Sequence, residues 1–119
     1  MPEHKPVRVE KPWGYELIWA HTGRYVGKIL HVRAGHALSL QYHRSKDETI
    51  YLLAGRLELQ TGEGTALDSR VLAPGESFHI PPGLRHRMVA VEDSDVLEAS
   101  TPELDDVVRL EDRYGRAPR

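Results

Sequence analysis

Two short segments of the sequence carry polar side chains at spacings that suit a metal ion. The first reads Gly35-x5-Gln41-x-His43-x4-Glu48-x6-Gly55, and the second reads Gly75-x5-Pro81-x-Gly83-x2-His86. Two imidazoles, one carboxylate and one amide oxygen form a mixed nitrogen and oxygen donor set. Such a set suits Zn, Mn, Fe, Co or Ni better than Cu(I) or Ca. We therefore predict a divalent metal cofactor, of undetermined identity, with the ligands Gln41, His43, Glu48 and His86.

Each of the two segments reads as a strand, a turn and a second strand. Because side chains alternate across a strand, Gln41 and His43 share one face of the first strand. Gly55 ends the strand that starts near Glu48, since glycine accepts a positive φ. His86 follows directly after a Pro-Pro-Gly turn. If these strands turn the same faces to one interior, the four side chains meet at one end of it.

Short apolar runs recur between glycine and proline signals from Trp13 onwards. This punctuation is typical of an antiparallel sandwich or barrel and predicts an all-β fold. Residues 102–112 are predicted to hold one short helix or a last strand. The predicted strands are 15–20, 25–33, 36–43, 47–54, 56–60, 77–80, 85–91 and 94–99.

The length of 119 residues predicts one domain, with an extended N-terminal arm over residues 1–12 and the folded domain over residues 13–119. The absence of cysteine excludes a disulfide framework and a thiolate zinc site. The N-terminus lacks the apolar run of a signal peptide, so we expect a cytoplasmic protein. We expect no membrane partner, because no stretch is apolar enough to span one. The net charge of −2 gives no reason to expect nucleic acid.

Five stretches of the chain carry a resemblance to a known family. They are Lys11-Pro12-Trp13-Gly14-Tyr15, Val26 to Gly35, Leu38-Ser39-Leu40-Gln41-Tyr42-His43, Ser77 to Arg87, and Asp105 to Arg116. The paired segments resemble those of the cupins. More narrowly, the chain resembles type II mannose-6-phosphate isomerases, which also form the C-terminal domain of bifunctional mannose-1-phosphate guanylyltransferases. The resemblance implies a small antiparallel jelly-roll barrel with a metal site.

Gln41 supports the narrower resemblance, because the common cupin pattern has histidine at this position and the isomerase branch has glutamine. Three positions depart from the isomerase pattern. Lys46 replaces an arginine and lacks the guanidinium fork. Ile50 replaces a tryptophan, and Ala90 replaces an asparagine.

The resemblance implies an aldose–ketose isomerase, most simply one that converts mannose 6-phosphate to fructose 6-phosphate through an enediol. The metal ligands are poor bases, because their lone pairs are committed to the ion. Lys28 is predicted to point inward as the base or oxyanion partner. Lys46 and Arg85 lie beside ligands and are predicted to hold the phosphate. Arg109, Arg113 and Arg116 could fold over the mouth of the site.

Two other functions are compatible with the same residues. One is a non-catalytic cupin that binds a sugar, a sugar phosphate or another small polar metabolite through its metal. The other is a cupin-type iron oxygenase, which Gln41 disfavours because it stands in place of a third histidine. For the isomerase and for the non-catalytic cupin, the expected partner is a small molecule, most simply a sugar phosphate. The family resemblance also implies a homodimer that pairs through its sheets or its N-terminal arm.

Overall fold

The computed structural model describes residues 5–63 and 66–117, and every regular element in these residues is a β-strand. No helix in this part of the chain could cross a membrane. The strands are β1 (Val7–Lys11), β2 (Gly14–His21), β3 (Val26–Val32), β4 (Leu40–Tyr42), β5 (Glu48–Ala54), β6 (Leu57–Gly62), β7 (Asp68–Leu72), β8 (Ser77–Ile80), β9 (Arg85–Ala90), β10 (Ser94–Ser100) and β11 (Val108–Glu111).

The strands form two antiparallel sheets. One has six strands in the order β1-β2-β3-β10-β5-β8, and the other has five in the order β11-β4-β9-β6-β7. The apolar core takes side chains from both sheets, including Leu30 and Ile50 from the first and Leu57, Leu59 and Met88 from the second. The sheets therefore pack face to face, and the predicted all-β antiparallel barrel is confirmed.

The sequence alternation of β5 shows how the barrel separates inside from outside. Glu48, Ile50 and Leu52 are buried, whereas Tyr51 and Leu53 between and beyond them are exposed. Ile50 and Leu52 have no exposed surface, so they fill the interior. Glu48 lies at the start of the same inner face. The interior is therefore apolar along most of β5 and polar at one end.

A last strand, rather than a helix, occupies part of residues 102–112. The backbone of β11 pairs with β4, with Val108 opposite Tyr42 and Arg109 opposite Gln41. The helical alternative is therefore wrong for the described residues. The pairing brings Arg109 beside a predicted metal ligand, a neighbour that lies far away in sequence.

Two edge strands escaped the sequence prediction. Strand β1 falls within the predicted arm, whose residues 1–4 lie outside the described part, and it pairs with β2. Strand β7 pairs with β6 and exposes four of its five residues. An edge strand with little buried surface lacks the apolar alternation that identifies a strand. Conversely, the predicted strand 36–43 shrinks to Leu40–Tyr42, preceded by an isolated bridge from Ala37 to Val89.

Candidate metal centre

Strands from both sheets bring the predicted ligands to the polar end of the barrel. Gln41 on β4 and His86 on β9 stand directly opposite each other in the antiparallel register. Glu48 begins β5, and His43 follows the last residue of β4. Cross-strand neighbours of this kind have Cβ atoms roughly 5 Å apart. The fold thus brings together residues that are up to 45 positions apart in the sequence.

His43, Glu48 and His86 form a tight buried group. One ligand atom from each residue can be chosen such that all three lie within 4.8 Å of one another. Nε2 of His43 lies 3.2 Å from Oε1 of Glu48, and Nε2 of His86 lies 3.4 Å from the same oxygen. Each residue is at most 3% exposed. Water therefore has little access to the three side chains.

Backbone carbonyls fix the orientation of both histidine rings. Nδ1 of His86 lies 2.9 Å from the carbonyl oxygen of Leu84, and Nδ1 of His43 contacts the carbonyl oxygen of Asp106. A carbonyl oxygen only accepts, so each Nδ1 must carry the proton and donate it. In the neutral ring this leaves the Nε2 lone pair pointing at Glu48. Histidine ligands in metal sites are held in this way.

The donor set needs a positive charge at its centre. Two neutral Nε2 lone pairs facing a carboxylate oxygen repel it, unless Nε2 protons or a cation lie between them. Nε2 of His86 and Oε2 of Glu48 are buried without a hydrogen-bond partner. Burial works to raise the pKa of Glu48, but when Nε2 of His43 and His86 carries a proton, these rings and the Lys46 ammonium outweigh burial and hold that pKa well below its ordinary range. An ionised carboxylate with two imidazoles fits a divalent metal.

Gln41 lines the same cavity as His43 and Glu48. Its Oε1 accepts a hydrogen bond from the hydroxyl of Ser39 at 2.7 Å. This bond orients the amide oxygen, which keeps a second lone pair for another partner. Gln41 therefore stays a predicted fourth ligand, positioned opposite His86 and oriented by Ser39.

Lys46 is buried rather than solvated. Its ammonium lies 3.1 Å from Oε2 of Glu98 and 3.5 Å from Oε2 of Glu48, and the residue is 4% exposed. Burial disfavours the charged lysine, but the Glu98 and Glu48 carboxylates outweigh it and raise the pKa of Lys46. Lys46 is therefore a cation that two carboxylates already hold, which limits its capacity to bind a substrate phosphate.

Lys28 points inward, as the alternation of β3 predicts, and is 6% exposed. Its ammonium lies 3.4 Å from Oε2 of Glu16 on the neighbouring strand β2. The side chains of both residues line the cavity. Lys28 is therefore held by Glu16 in a position from which its amino group can donate a hydrogen bond into the cavity.

Glu98 on β10 is a site residue that the sequence reasoning did not identify. It lines the cavity and is 6% exposed. Burial, reinforced by the charge of Glu48, raises the pKa of Glu98 to about 7. The available signal was its position two residues after Val96 on the inner face of a strand, where a carboxylate is unusual unless it is paired.

Arg85 does not reach the cavity. It precedes His86 on β9, so alternation places its side chain on the opposite face of the strand, and it is not among the residues lining the cavity. Arg109 and Arg116 do line the cavity, and so does Lys11 from β1. Arg113 instead donates to the carbonyl oxygen of Gly35 at 3.0 Å. The cations at the mouth thus differ from the predicted phosphate-binding pair.

The connection between β10 and β11 covers part of the cavity and is tied to the ligand loop. Leu104 and Val107 from this connection line the cavity. The Asp106 carboxylate accepts hydrogen bonds from the backbone N–H groups of residues 44–46, at 3.0, 2.7 and 2.9 Å. These bonds lower the pKa of Asp106 to about 2. The same residue accepts the His43 ring proton through its carbonyl oxygen.

The chain is thus a small antiparallel β-barrel with a buried His, Glu and His group at one end that could hold a metal. Residues 28–99 match the family model described as a Cupin domain. The chain therefore belongs to the cupin family.

Curated relatives extend the similarity over nearly the whole chain. The chain is 37% identical to a mannose-1-phosphate guanylyltransferase of Escherichia coli (strain K12), over 96% of this chain and 24% of the relative. It is 35% identical to the xanthan biosynthesis protein XanB of Xanthomonas campestris pv. campestris, over 92% of this chain and 24% of that protein. The matching part is the C-terminal cupin region of such proteins. The chain thus spans about a quarter of the length of these relatives.

Solved structures share the fold. KdgF from Halomonas sp. superposes with a TM-score of 0.70 at 28% identity, covering 87% of this chain and 92% of that one. The capsular polysaccharide assembling protein CapF from Staphylococcus aureus gives a TM-score of 0.75 at 16% identity, over 91% of this chain and 35% of CapF. At the latter identity the likeness concerns the fold alone.

Proposed function

We propose that this cupin is a metal-dependent sugar-phosphate isomerase that interconverts an aldose and a ketose, with mannose 6-phosphate to fructose 6-phosphate as the first reaction to test. The supporting observation is the buried group of His43, Glu48 and His86 beside a cavity lined by Gln41 and Lys28. A divalent ion held by these ligands would polarise the oxygens at C1 and C2 of an open-chain sugar.

Lys28 is assigned to the oxygen side of the reaction. Its ammonium is held inward by Glu16 at 3.4 Å and lines the cavity. When a proton leaves carbon, negative charge develops on the neighbouring oxygen. A preorganised ammonium donor in a site with little water stabilises that charge. Lys28 would give a proton to the oxygen at C1 and take one back from the C2 hydroxyl, which balances the proton that Glu98 moves between the carbons.

Glu98 is assigned to the carbon side as the proton carrier. Three carboxylates line the cavity. Glu48 belongs to the ligand group and Glu16 faces Lys28, which leaves Glu98. Its pKa of about 7 lets it accept a proton from C2 and return it to C1 near neutral pH. In this assignment Lys46 holds the Glu98 carboxylate in place at 3.1 Å.

The relatives support sugar-phosphate chemistry. Two of them are named mannose-1-phosphate guanylyltransferases, of Escherichia coli and of Salmonella typhimurium. The chain covers 24% of each, so nucleotidyl transfer is not assigned to it. Sugar isomerisation can take place in a single pocket, such as the one that this domain would form around a bound metal.

A coupled assay for fructose 6-phosphate tests the proposal. Purified protein is treated with a chelator, reloaded with Zn, Mn, Fe, Co or Ni in turn, and supplied with mannose 6-phosphate and other aldose phosphates. Turnover is expected to disappear on chelation and to return with at least one metal. E98Q should lower kcat by roughly 100-fold or more with unchanged metal content, whereas E92Q, an exposed carboxylate in the β9–β10 turn, should not. No turnover with any metal and any sugar phosphate refutes the isomerase.

A non-catalytic binding module is the second candidate, and one observation favours it. Of the three residues predicted to act on substrate, Lys28 and Lys46 are engaged by carboxylates, and Arg85 is absent from the cavity lining. A sugar phosphate that raises the melting temperature of the metal-loaded protein, without being converted, would support this candidate over the isomerase.

We also propose that two copies pair through the outer face of the six-stranded sheet, in keeping with the predicted homodimer. The strand register places four apolar residues side by side across four neighbouring strands: Leu17, Ile29, Leu97 and Tyr51. Leu53, two residues after Tyr51 on β5, is 53% exposed. A continuous apolar row on an outer sheet face is typical of an interface. Light scattering should give a dimeric mass for the wild type and a monomeric mass for L53K. A monomeric wild type at micromolar concentration contradicts the pairing.

A further inference from the structure

The charges lining the cavity do not balance. Three carboxylates face five cations, so the lining has two more positive than negative charges. A divalent ion on the ligand group would add to this excess. The five cations are Lys11, Lys28, Lys46, Arg109 and Arg116.

The three carboxylates already form ion pairs with the two buried lysines. Glu16 pairs with Lys28, and Glu98 and Glu48 share Lys46. These pairs lie on the inner face of the six-stranded sheet and its adjoining loop. The excess charge therefore belongs to the three cations contributed by β1, β11 and the C-terminal segment.

Arg109 has unused hydrogen-bonding capacity and faces the ligands. Its Nε is buried without a hydrogen-bond partner. Its position on β11 is opposite Gln41, which in turn is opposite His86. Arg109 therefore lies in register with two predicted ligands, on the same face of the sheet. An arginine offers five N–H donors in a planar fork that matches two oxygens of an oxyanion.

Lys11 and Arg116 line the same cavity as Arg109. Arg116 is held by Asp112, with Nε 2.9 Å from Oδ2 and a terminal nitrogen 3.1 Å from Oδ1. In the described residues, by contrast, the Lys11 ammonium has no hydrogen bond or ion pair with a side chain. The charge of Arg109 also contributes to the lowered pKa of Asp112, but Nε of Arg109 keeps no hydrogen-bond partner. Arg109 and Lys11 are therefore the two lining cations with unused hydrogen-bond donors.

We propose that Arg109 and Lys11 form an oxyanion subsite that holds the phosphate or carboxylate of a sugar substrate while its reacting end lies at the metal ligands. The inference rests on the proposed function for the identity of the reacting end, but the subsite itself rests on the charge and the unused donors. It transfers the anchoring role from Lys46 and Arg85 to residues that line the open mouth. Charge-assisted bonds to a guanidinium fork give both affinity and orientation.

Calorimetric titration of the metal-loaded protein tests the subsite. The three titrants are mannose 6-phosphate, mannuronate and neutral mannose, so that the phosphate and carboxylate sources are distinguished. At least one anionic sugar should bind about tenfold or more tightly than mannose, and R109Q should remove about tenfold or more of that advantage. Binding of mannose should not change. R56Q is the matched control, because Arg56 is exposed in the β5–β6 turn at the other end of the barrel.

Circular dichroism establishes whether R109Q folds, and K11Q provides an independent test if it does not. Anionic sugars that bind no better than mannose, or whose affinity neither R109Q nor K11Q lowers, overturn the subsite. The outcome is separable from that of the isomerase. If anionic sugars bind in an Arg109-dependent way but are not converted, the isomerase is refuted and the subsite stands. If the protein converts the sugar phosphate and R109Q leaves KM unchanged, the isomerase stands and the subsite is refuted.

Discussion

Replacing Lys46 by methionine tests the charged cluster at the polar end of the barrel. The change keeps the length of the side chain and removes one positive charge from between Glu48 and Glu98. All three side chains are at most 6% exposed, so water compensates poorly for the lost ammonium. Removing one partner of a buried ion pair costs about 3–5 kcal/mol. For a chain of 119 residues this lowers the melting temperature by roughly 12–20 °C.

The cost should depend on pH, because Glu98 can take up a proton. Burial raises the pKa of Glu98 to about 7 in the wild type, so above pH 7 its carboxylate is ionised in both the folded and the unfolded chain. Without Lys46 the folded pKa rises further. The folded variant then keeps a proton that its unfolded chain has released, and its stability deficit grows by about 1.4 kcal/mol per pH unit above pH 7.

Urea unfolding of chelator-treated protein at pH 6, 7 and 8 measures the deficit. K5M is the control, since Lys5 is exposed, and it should match the wild type. The double variant K46M/E98Q should lose the pH dependence. A deficit below about 1 kcal/mol at pH 8, or one that is equal at pH 6 and pH 8, would show that Lys46 does not lie between two buried carboxylates.

Three further predictions concern Asp106, the β5–β6 turn and the predicted metal ligands. D106N should unfold more easily than the wild type at neutral pH, and the gap in unfolding free energy should close between about pH 4 and pH 2, because the folded pKa of about 2 lies below the unfolded value. G55A should lose at least about 2 kcal/mol of stability, since Gly55 has a φ of 99° and an added Cβ would lie 2.2 Å from the Asp93 carbonyl oxygen. A divalent metal at 100 times its Kd should raise the melting temperature of the wild type by roughly 10 °C, and H86A should lose most of that rise.

Each of these variants has a matched control. D105N changes the exposed neighbour of Asp106 and should leave the acid profile as it is. G23A adds a methyl group where no atom lies within 4 Å and should be nearly neutral. H21A removes an exposed histidine and should keep the metal-induced rise. Equal behaviour of any variant and its control contradicts the corresponding assignment.

The alternation of inward and outward residues in the sequence predicts the inner faces of several strands, including the face that carries Glu48. Glu48, Ile50 and Leu52 occur at every second position, and this pattern alone puts the carboxylate on the inner face. The same rule places Arg85 on the face of β9 opposite His86, which agrees with its absence from the cavity lining.

Other features depend on contacts between distant residues, which a single sequence does not display. Lys46 lies in a polar loop after a ligand and has the sequence context of a solvated charge. It is buried because Glu98, 52 positions later in the chain, is brought against it by the pairing of β10 with β5. Arg109 reaches the mouth through a pairing of β11 with β4 that residues 102–112 do not reveal by their own pattern.

The hydrogen bonds of Asp106 link the β10–β11 connection, which covers part of the cavity, to His43 and the loop that follows it. Its carboxylate holds the backbone of residues 44–46, while its carbonyl oxygen holds the His43 ring. Lifting the β10–β11 connection to widen the entrance therefore also frees the His43 imidazole of the candidate metal site. A compound that holds this connection down should slow metal loss to a chelator. By thermodynamic reciprocity, the bound metal should tighten the hold on that compound by the same factor.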